Sequence, residues 1–424
     1  MRPHFALVSL CFSLAIAPAG SLAANDQLDS LRKVWQTIQD FHWDRDLIEE
    51  KWTPILPEFE ERIKATETDG EAVAVIQSMI DRLGQSHFAI IPSTVYDRQK
   101  ELGIQKGSGS LGIQVRLIND ELIVTRIADD SSASKAGISV GDRLDKIRSK
   151  PAGEIIEKAS EQSKYKAGRA ETFVGLLAEA MLGGSVGDSV ALEWTDREGQ
   201  LHQSELELQP SKGQFAEFGN LPAVEVVIET EVLPGNIVLY RFSSFFNPVP
   251  LIGEMKTLME KHSDAEGLIL DVRGNRGGIV LMVCGLCNWL SDEKSTIGIM
   301  RSSQSELKLK LNPRKPTFHG KVVVLTDELS ISSAEILAGG LQDASLATVI
   351  GTTSAGLVLP SIVSTLPNGD RFQYAISDFE TGDGRRLEGD GVVPDIIVQP
   401  TRESLQKQVD PALERALKWI LQDG

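Results

Sequence analysis

Two segments of the chain hold residue types that can do acyl chemistry. The first is Asp271-Val272-Arg273-Gly274-Asn275-Arg276-Gly277-Gly278. Glycines at a helix start let backbone N–H groups turn outward, where the helix dipole favours negative charge. The second is Thr326-Asp327-Glu328-Leu329-Ser330-Ile331-Ser332-Ser333-Ala334-Glu335-Ile336. A serine on a strand-to-helix turn is exposed, and the N–H after it faces the same point in space. Together the two turns suit an oxyanion hole around a nucleophilic serine. A phosphate cradle is the competing reading, but the chain has no Gly-rich spacing ending in Gly-Lys-Ser/Thr.

Both segments follow apolar strands, 268–272 and 322–326, and reactive groups in an α/β sheet gather beyond such carboxyl ends. Further strands are expected at 224–228, 236–242 and 348–351, with helices over 251–261, 279–290 and 333–342. The alternation predicts an α/β core, a mixed sheet with helices on both faces. Leu405, Val409, Leu413, Leu417 and Ile420 stripe one face of a terminal helix. Upstream, 26–87 reads as helical, with Leu28, Leu31, Val34, Trp35 and Ile38 at helix spacing. A Gly/Ser linker over 103–109 then opens a β-rich stretch with strands at 111–115, 121–127, 143–147, 191–194 and 201–208. The helical segment 155–182 inside it is longer than so small a module needs.

The 424 residues carry 43 Lys and Arg against 60 Asp and Glu, a formal net charge of −17. That balance, without a basic cluster, excludes a nucleic-acid binder. Arg2 and His4 precede an apolar run over 5–17, and Ser21-Leu22-Ala23 supplies small residues for cleavage after Ala23. This is the layout of a secretory signal peptide, and the run is shorter than the ~20 residues a bilayer span needs. Leu10 before Cys11 argues against a lipid anchor. Cys284 and Cys287 lack a second pair to complete a zinc site, so they read as small buried hydrophobes. No metal and no cofactor are expected.

Several motifs occur in one order. Leu111-Gly112-Ile113 resembles the carboxylate-binding loop of PDZ domains, and Ala133-Ser134-Lys135-Ala136-Gly137-Ile138 with Val140-Gly141-Asp142 resembles a later PDZ segment. Leu270-Asp271-Val272-Arg273, Gly277-Gly278, Ser332-x-x-Glu335-Ile336 and Leu387-Glu388-Gly389-x-Gly391-Val392-x-Pro394-Asp395 follow. In this order they resemble the C-terminal processing (tail-specific) serine peptidases over essentially the whole mature length. The resemblance implies a signal peptide at 1–23, an N-terminal helical segment at 24–107, an inserted PDZ-like β-rich domain with a helical insert at 108–210, and the α/β peptidase core at 211–424.

One departure matters. Most bacterial members of the family use a Ser–Lys dyad, and Leu357 stands where that lysine belongs, with Ser361 at the position of its supporting glutamine. Leucine accepts no proton. A second branch, resembling the tricorn core protease, uses a Ser-His pair and a distant Glu, and Ser86-His87 and Glu388 match it. The resemblance therefore implies Ser332 as nucleophile and His87 as base. An imidazole with its ordinary pKa near 6.5 takes a proton at neutral pH. Ser86 and Glu388 would orient the ring, and backbone N–H groups of Ser333 and of Gly277 or Gly278 would bind the oxyanion. Alternatives remain open at this level. Ser330 or Ser333 replaces Ser332 if the register shifts, Ser332 can instead cap its helix, and Glu335 rivals Glu388. Asp271 and Arg273 read as a structural pair.

The expected function is that of a periplasmic or secreted serine endopeptidase forming an acyl-enzyme. It would take protein or peptide substrates by an apolar C-terminal tail, bound at Leu111, Gly112 and Ile113. The alternative is an inactive family member serving as a PDZ-type peptide-binding scaffold. A third reading, an esterase on this core, leaves the PDZ-like module idle.

Overall fold

The computed structural model describes residues 24–102, 108–163 and 167–422. The signal segment 1–23 and most of the linker therefore lie outside the described residues. The centre is a six-stranded sheet in the order Ile228–Leu233, Ile237–Phe242, Gly267–Asp271, Lys321–Thr326, Thr348–Gly351 and Ile396–Ile397. Its first pair is antiparallel and the rest parallel. The central strands are apolar on both faces because both are covered. Helices Pro248–His262, Leu281–Cys287 and Ser333–Asp343 bury one face around Tyr240, Leu270, Val324 and Leu337. Helix Pro411–Gln422 covers the other through Ala412, Ala416 and Ile420.

The terminal stripe is not one helix. It divides into Arg402–Gln406 and Pro411–Gln422, because Pro411 suits a first helical turn and cannot continue one. Leu405 consequently leaves the central sheet and packs with Ile118 and Ile123 of the β-rich module.

That module is an antiparallel sheet in the order Ile113–Ile118, Glu121–Ile127, Arg143–Ile147, Ser189–Thr195, Leu201–Glu207. It has its own core, including Leu111, Val115, Leu144, Phe173 and Trp194. The expected helix over 155–182 is two helices, Ala152–Ser163 and Ala170–Leu182. The second lies against the loop after strand Lys321–Thr326: Thr172 Oγ1 donates to Glu328 O (2.8 Å), and Gly175 faces Leu329 where a Cβ would sit 3.0 Å from its side chain.

Helices Ala24–Phe41, Leu56–Lys64 and Asp69–Ile80 pack through Leu31, Val34, Phe59 and Ile76. The last begins with a reciprocal cap between Thr68 and Glu71. Sequence reasoning overlooked the hairpin Ser361–Thr365/Arg371–Ala375, whose Phe372 and Tyr374 close this helical core. Strand Ala89–Ile91 joins the hairpin, Ala89 opposite Gln373. The N-terminal helices are thereby fastened to the C-terminal half of the chain just beyond Ser86-His87. Among the described residues no helix is long and apolar enough to cross a membrane.

Candidate active site

Ser332 occupies the turn between strand Lys321–Thr326 and helix Ser333–Asp343, at φ 57° and ψ −117°. A serine held in that region is strained by about 1–3 kcal/mol and persists only where its surroundings fix it. They do so here. Its N–H reaches Leu357 O at 2.9 Å and Glu335 Oε2 at 3.0 Å. Fully buried Glu335 also accepts from Ser354 Oγ (2.7 Å), Gly356 N (2.7 Å) and Leu357 N (3.0 Å). Burial pushes its carboxyl up to about 7 although these donors favour the charge. Glu335 thus ties the Ser332 turn to the segment 354–357, and none of its bonds goes to His87. The neighbouring hydroxyls are committed: Ser330 Oγ donates to Val272 O (2.8 Å) and Ser333 Oγ to Gly278 O (2.9 Å). Of the three serines, only Ser332 has a hydroxyl not spent on a main-chain carbonyl.

A chain of three polar groups stands on the other side. Ser86 Oγ donates to Glu388 Oε2 at 2.9 Å and lies 2.7 Å from His87 Nδ1. With its only proton on Glu388, the Ser86 hydroxyl can meet Nδ1 only as acceptor, so that network puts the ring proton on Nδ1 and leaves Nε2 bare. His87 is buried, also at positive φ (59°), and burial pushes its imidazolium down to about 4. Glu388 further accepts from Ser86 N (2.8 Å) and Val358 N (2.9 Å), and desolvation raises it to about 7.

One peptide unit links the two halves. The Leu357 carbonyl takes the Ser332 N–H, and the N–H of Val358, across the same planar bond, feeds Glu388. Among the described residues no hydrogen bond joins Ser332 directly to His87. The Leu357 side chain is 1% exposed and packs with Ile331, Ala355, Leu176 and Ala167, so this position supplies a backbone bridge and an apolar plug.

The glycine turn abuts Ser332. A Cβ on Gly277 (φ 82°) would come 2.7 Å from Ser332 Cβ and 3.1 Å from Ser333 N. The Gly277 N–H is already given to Asn275 Oδ1 at 2.8 Å. Gly278 N and Ser333 N donate to no protein acceptor among the described residues, so of the two glycines Gly278 has the free donor. Sequence reasoning passed over Asn275. Buried, it donates to Phe242 O (2.7 Å) and accepts from Ile331 N (2.9 Å), joining strand, glycine turn and serine turn. An Asn two residues before a glycine in a turn was its only signal. Beside it Asp271, wholly buried, takes Arg241 and Arg273, and Arg273 continues to Asp410 (2.8 Å). These arginines hold the Asp271 carboxyl well below the usual range against the opposing desolvation.

The remaining candidates lie elsewhere. Leu111 is in the module core, Gly112 N is taken by Ser110 Oγ (2.9 Å), and Ile113 is half-buried at the first strand. A Cβ on Gly112 would strike Ser131 Cβ at 2.3 Å, so glycine here admits Ser131. Cys287 is buried and Cys284 partly so, both unpaired against the core. Among the described residues no group of three or more His, Cys, Asp or Glu is placed to hold a metal ion.

Residues 235–398 match the family model for Peptidase family S41. A carboxy-terminal-processing protease of Bartonella bacilliformis is 24% identical over 312 residues, covering 72% of this chain and 64% of that protein. The chain thus spans just under two thirds of that relative's length. A carboxyl-terminal-processing protease of Picosynechococcus is 23% identical over 413 residues, 95% of this chain and 91% of the relative. Among solved structures, mature CPAF complexed with lactacystin is similar at a TM-score of 0.65 and 15% identity, over 95% of this chain and all of that one (100%); at that identity the likeness concerns the fold. The likeness to Peptidase family S41 thus rests on residues 235–398, the part of the chain that carries the glycine turn, the Ser332 turn and Glu388.

Proposed function

We propose that the protein is an endopeptidase in which Ser332 attacks the scissile carbonyl and His87 takes its proton. The observation that carries this is the hydrogen-bonded chain from Glu388 through Ser86 to His87, connected to the strained Ser332 turn by the Leu357–Val358 peptide. Nε2 of His87, unprotonated by that chain, accepts the hydroxyl proton. Ser86 and Glu388 then stabilise the imidazolium, the third-group role of triad logic. Gly278 N and Ser333 N meet the oxyanion of the tetrahedral intermediate, which collapses to an acyl-enzyme as His87 returns the proton to the leaving amine. Water repeats the sequence to release the product. A lysine at position 357 has no part in this scheme.

The module over 108–210 serves as a PDZ-like reader of an apolar substrate tail, added as a strand beside Ile113–Ile118. Its support is the Leu111-Gly112-Ile113 motif and the packing of helix Ala170–Leu182 on that strand. The segment 1–23 directs export. The test is digestion of an unfolded protein with an apolar C-terminus by the mature chain, with Ser332→Ala and His87→Ala in parallel. Cleavage by the parent and loss in both variants is expected. Tail binding without cleavage by the parent would establish the scaffold reading instead.

A further inference from the structure

Outside the peptidase core, one buried cation touches both halves of the Ser332 neighbourhood. Arg116 lies on Ile113–Ile118, where Val115 and Leu117 turn into the module and Arg116, on the opposite face, turns out of it. It is only 5% exposed. Its Nε and Nη2 both reach Asp327 Oδ2 at 2.8 Å, and its Nη1 reaches Glu179 Oε1 at 2.8 Å. Glu328 stands 3.9 Å away. Burial opposes the charge, but Asp327, Glu179 and Glu328 outweigh it and keep the guanidinium protonated.

Each acidic partner passes the contact on. Asp327 Oδ1 accepts from Gly274 N (2.8 Å), in the glycine turn, and from Leu329 N (3.0 Å), in the serine turn, where Asp327 N also donates to Ser330 Oγ (3.0 Å). Glu179, on Ala170–Leu182, also pairs with Arg276 of the glycine turn. Gly274 sits so close that a Cβ there would be 2.9 Å from Arg116 Nη2.

We propose that Arg116 is a positioning residue for catalysis, holding the serine turn and the oxyanion turn in register through Asp327 and through the Glu179–Arg276 pair. This rests on the reading of Ser332 as nucleophile. Docking of the module is a separate matter with its own attachment: Arg402 donates to Gly141 O (3.1 Å), Thr195 O (3.2 Å) and Asp196 O (3.1 Å), and Leu405 packs on Ile118 and Ile123. Lysine at 116 keeps the charge but cannot reach both acids in the planar fork that arginine uses.

The experiment measures kcat and KM of the full mature chain on a short peptide blocked at both ends, so that tail recognition plays no part. Arg116→Lys is expected to lower kcat at least tenfold with KM within twofold. Arg402→Ala, which loosens the docking contact alone, should keep kcat within twofold of the parent. If Arg116→Lys does not fold, the double variant Arg116→Met/Asp327→Asn, which removes both charges and keeps the Oδ1 acceptor, should show the same loss. A folded Arg116 variant with parental kcat, or an equal loss in Arg402→Ala, overturns the proposal. A parent that never turns over the peptide refutes instead the reading of Ser332.

Discussion

Removing a single oxygen tests the three-group chain. Ser86→Ala deletes the hydroxyl that stands 2.7 Å from His87 Nδ1 and 2.9 Å from Glu388 Oε2. The Glu388 carboxylate keeps the N–H groups of residue 86 (2.8 Å) and Val358 (2.9 Å), so the fold around it persists. What is lost is the acceptor on Nδ1–H at the moment the ring becomes an imidazolium. A hydrogen bond to a charged group contributes about 1.5–3 kcal/mol. At 1.36 kcal/mol per factor of ten, kcat should fall about 10- to 150-fold. The loss appears only as charge develops, so KM should stay within about twofold. The assay is steady-state cleavage of a blocked peptide, with circular dichroism confirming the fold. A folded Ser86→Ala enzyme with kcat within twofold of the parent would refute the relay.

Other perturbations follow from the same geometry. His87, pushed down to about 4, is neutral across the useful range, whereas Glu388, raised to about 7, gains a proton as pH falls through 7. A protonated Glu388 donates to Ser86 Oγ and reverses the chain, so kcat/KM should drop below about pH 7, and Glu388→Gln should abolish that limb while lowering kcat. Leu357→Lys puts an unpaired ammonium among Ile331, Ala355 and Leu176. It should destabilise the fold by several kcal/mol, read in urea, without restoring a His87→Ala enzyme. Gly277→Ala drives a methyl to within 2.7 Å of Ser332 Cβ at φ 82°. Since a displacement of about 1 Å can cost 10²-fold, kcat should fall by that order in a protein that still folds.

The sequence revealed local periodicity and failed where distant segments meet. Strand Thr348–Gly351 and helix Ser333–Asp343 follow directly from apolar pattern and turn chemistry. The stripe from Leu405 to Ile420 misled because period alone ignores Pro411, and because Leu405 answers to Ile123, far away in the chain. The hairpin at 361–375 was missed since its apolar side serves the N-terminal helices rather than its own neighbours. Ser86-His87 carries almost no signal by itself. Its partner Glu388 lies 302 residues from Ser86, a separation that only the family resemblance bridged. Arg116 and Asp327 are 211 residues apart, and no local rule pairs a strand arginine in one module with a loop aspartate in another.

The proposed mechanism stands or falls with Ser332 as nucleophile and His87 as its base. The most direct measurement is intact mass and peptide mapping of the mature chain after reaction with a fluorophosphonate, beside His87→Ala. One adduct is expected, on Ser332, formed far more slowly or not at all in His87→Ala. An adduct on another serine, or equal labelling of both proteins, would contradict it.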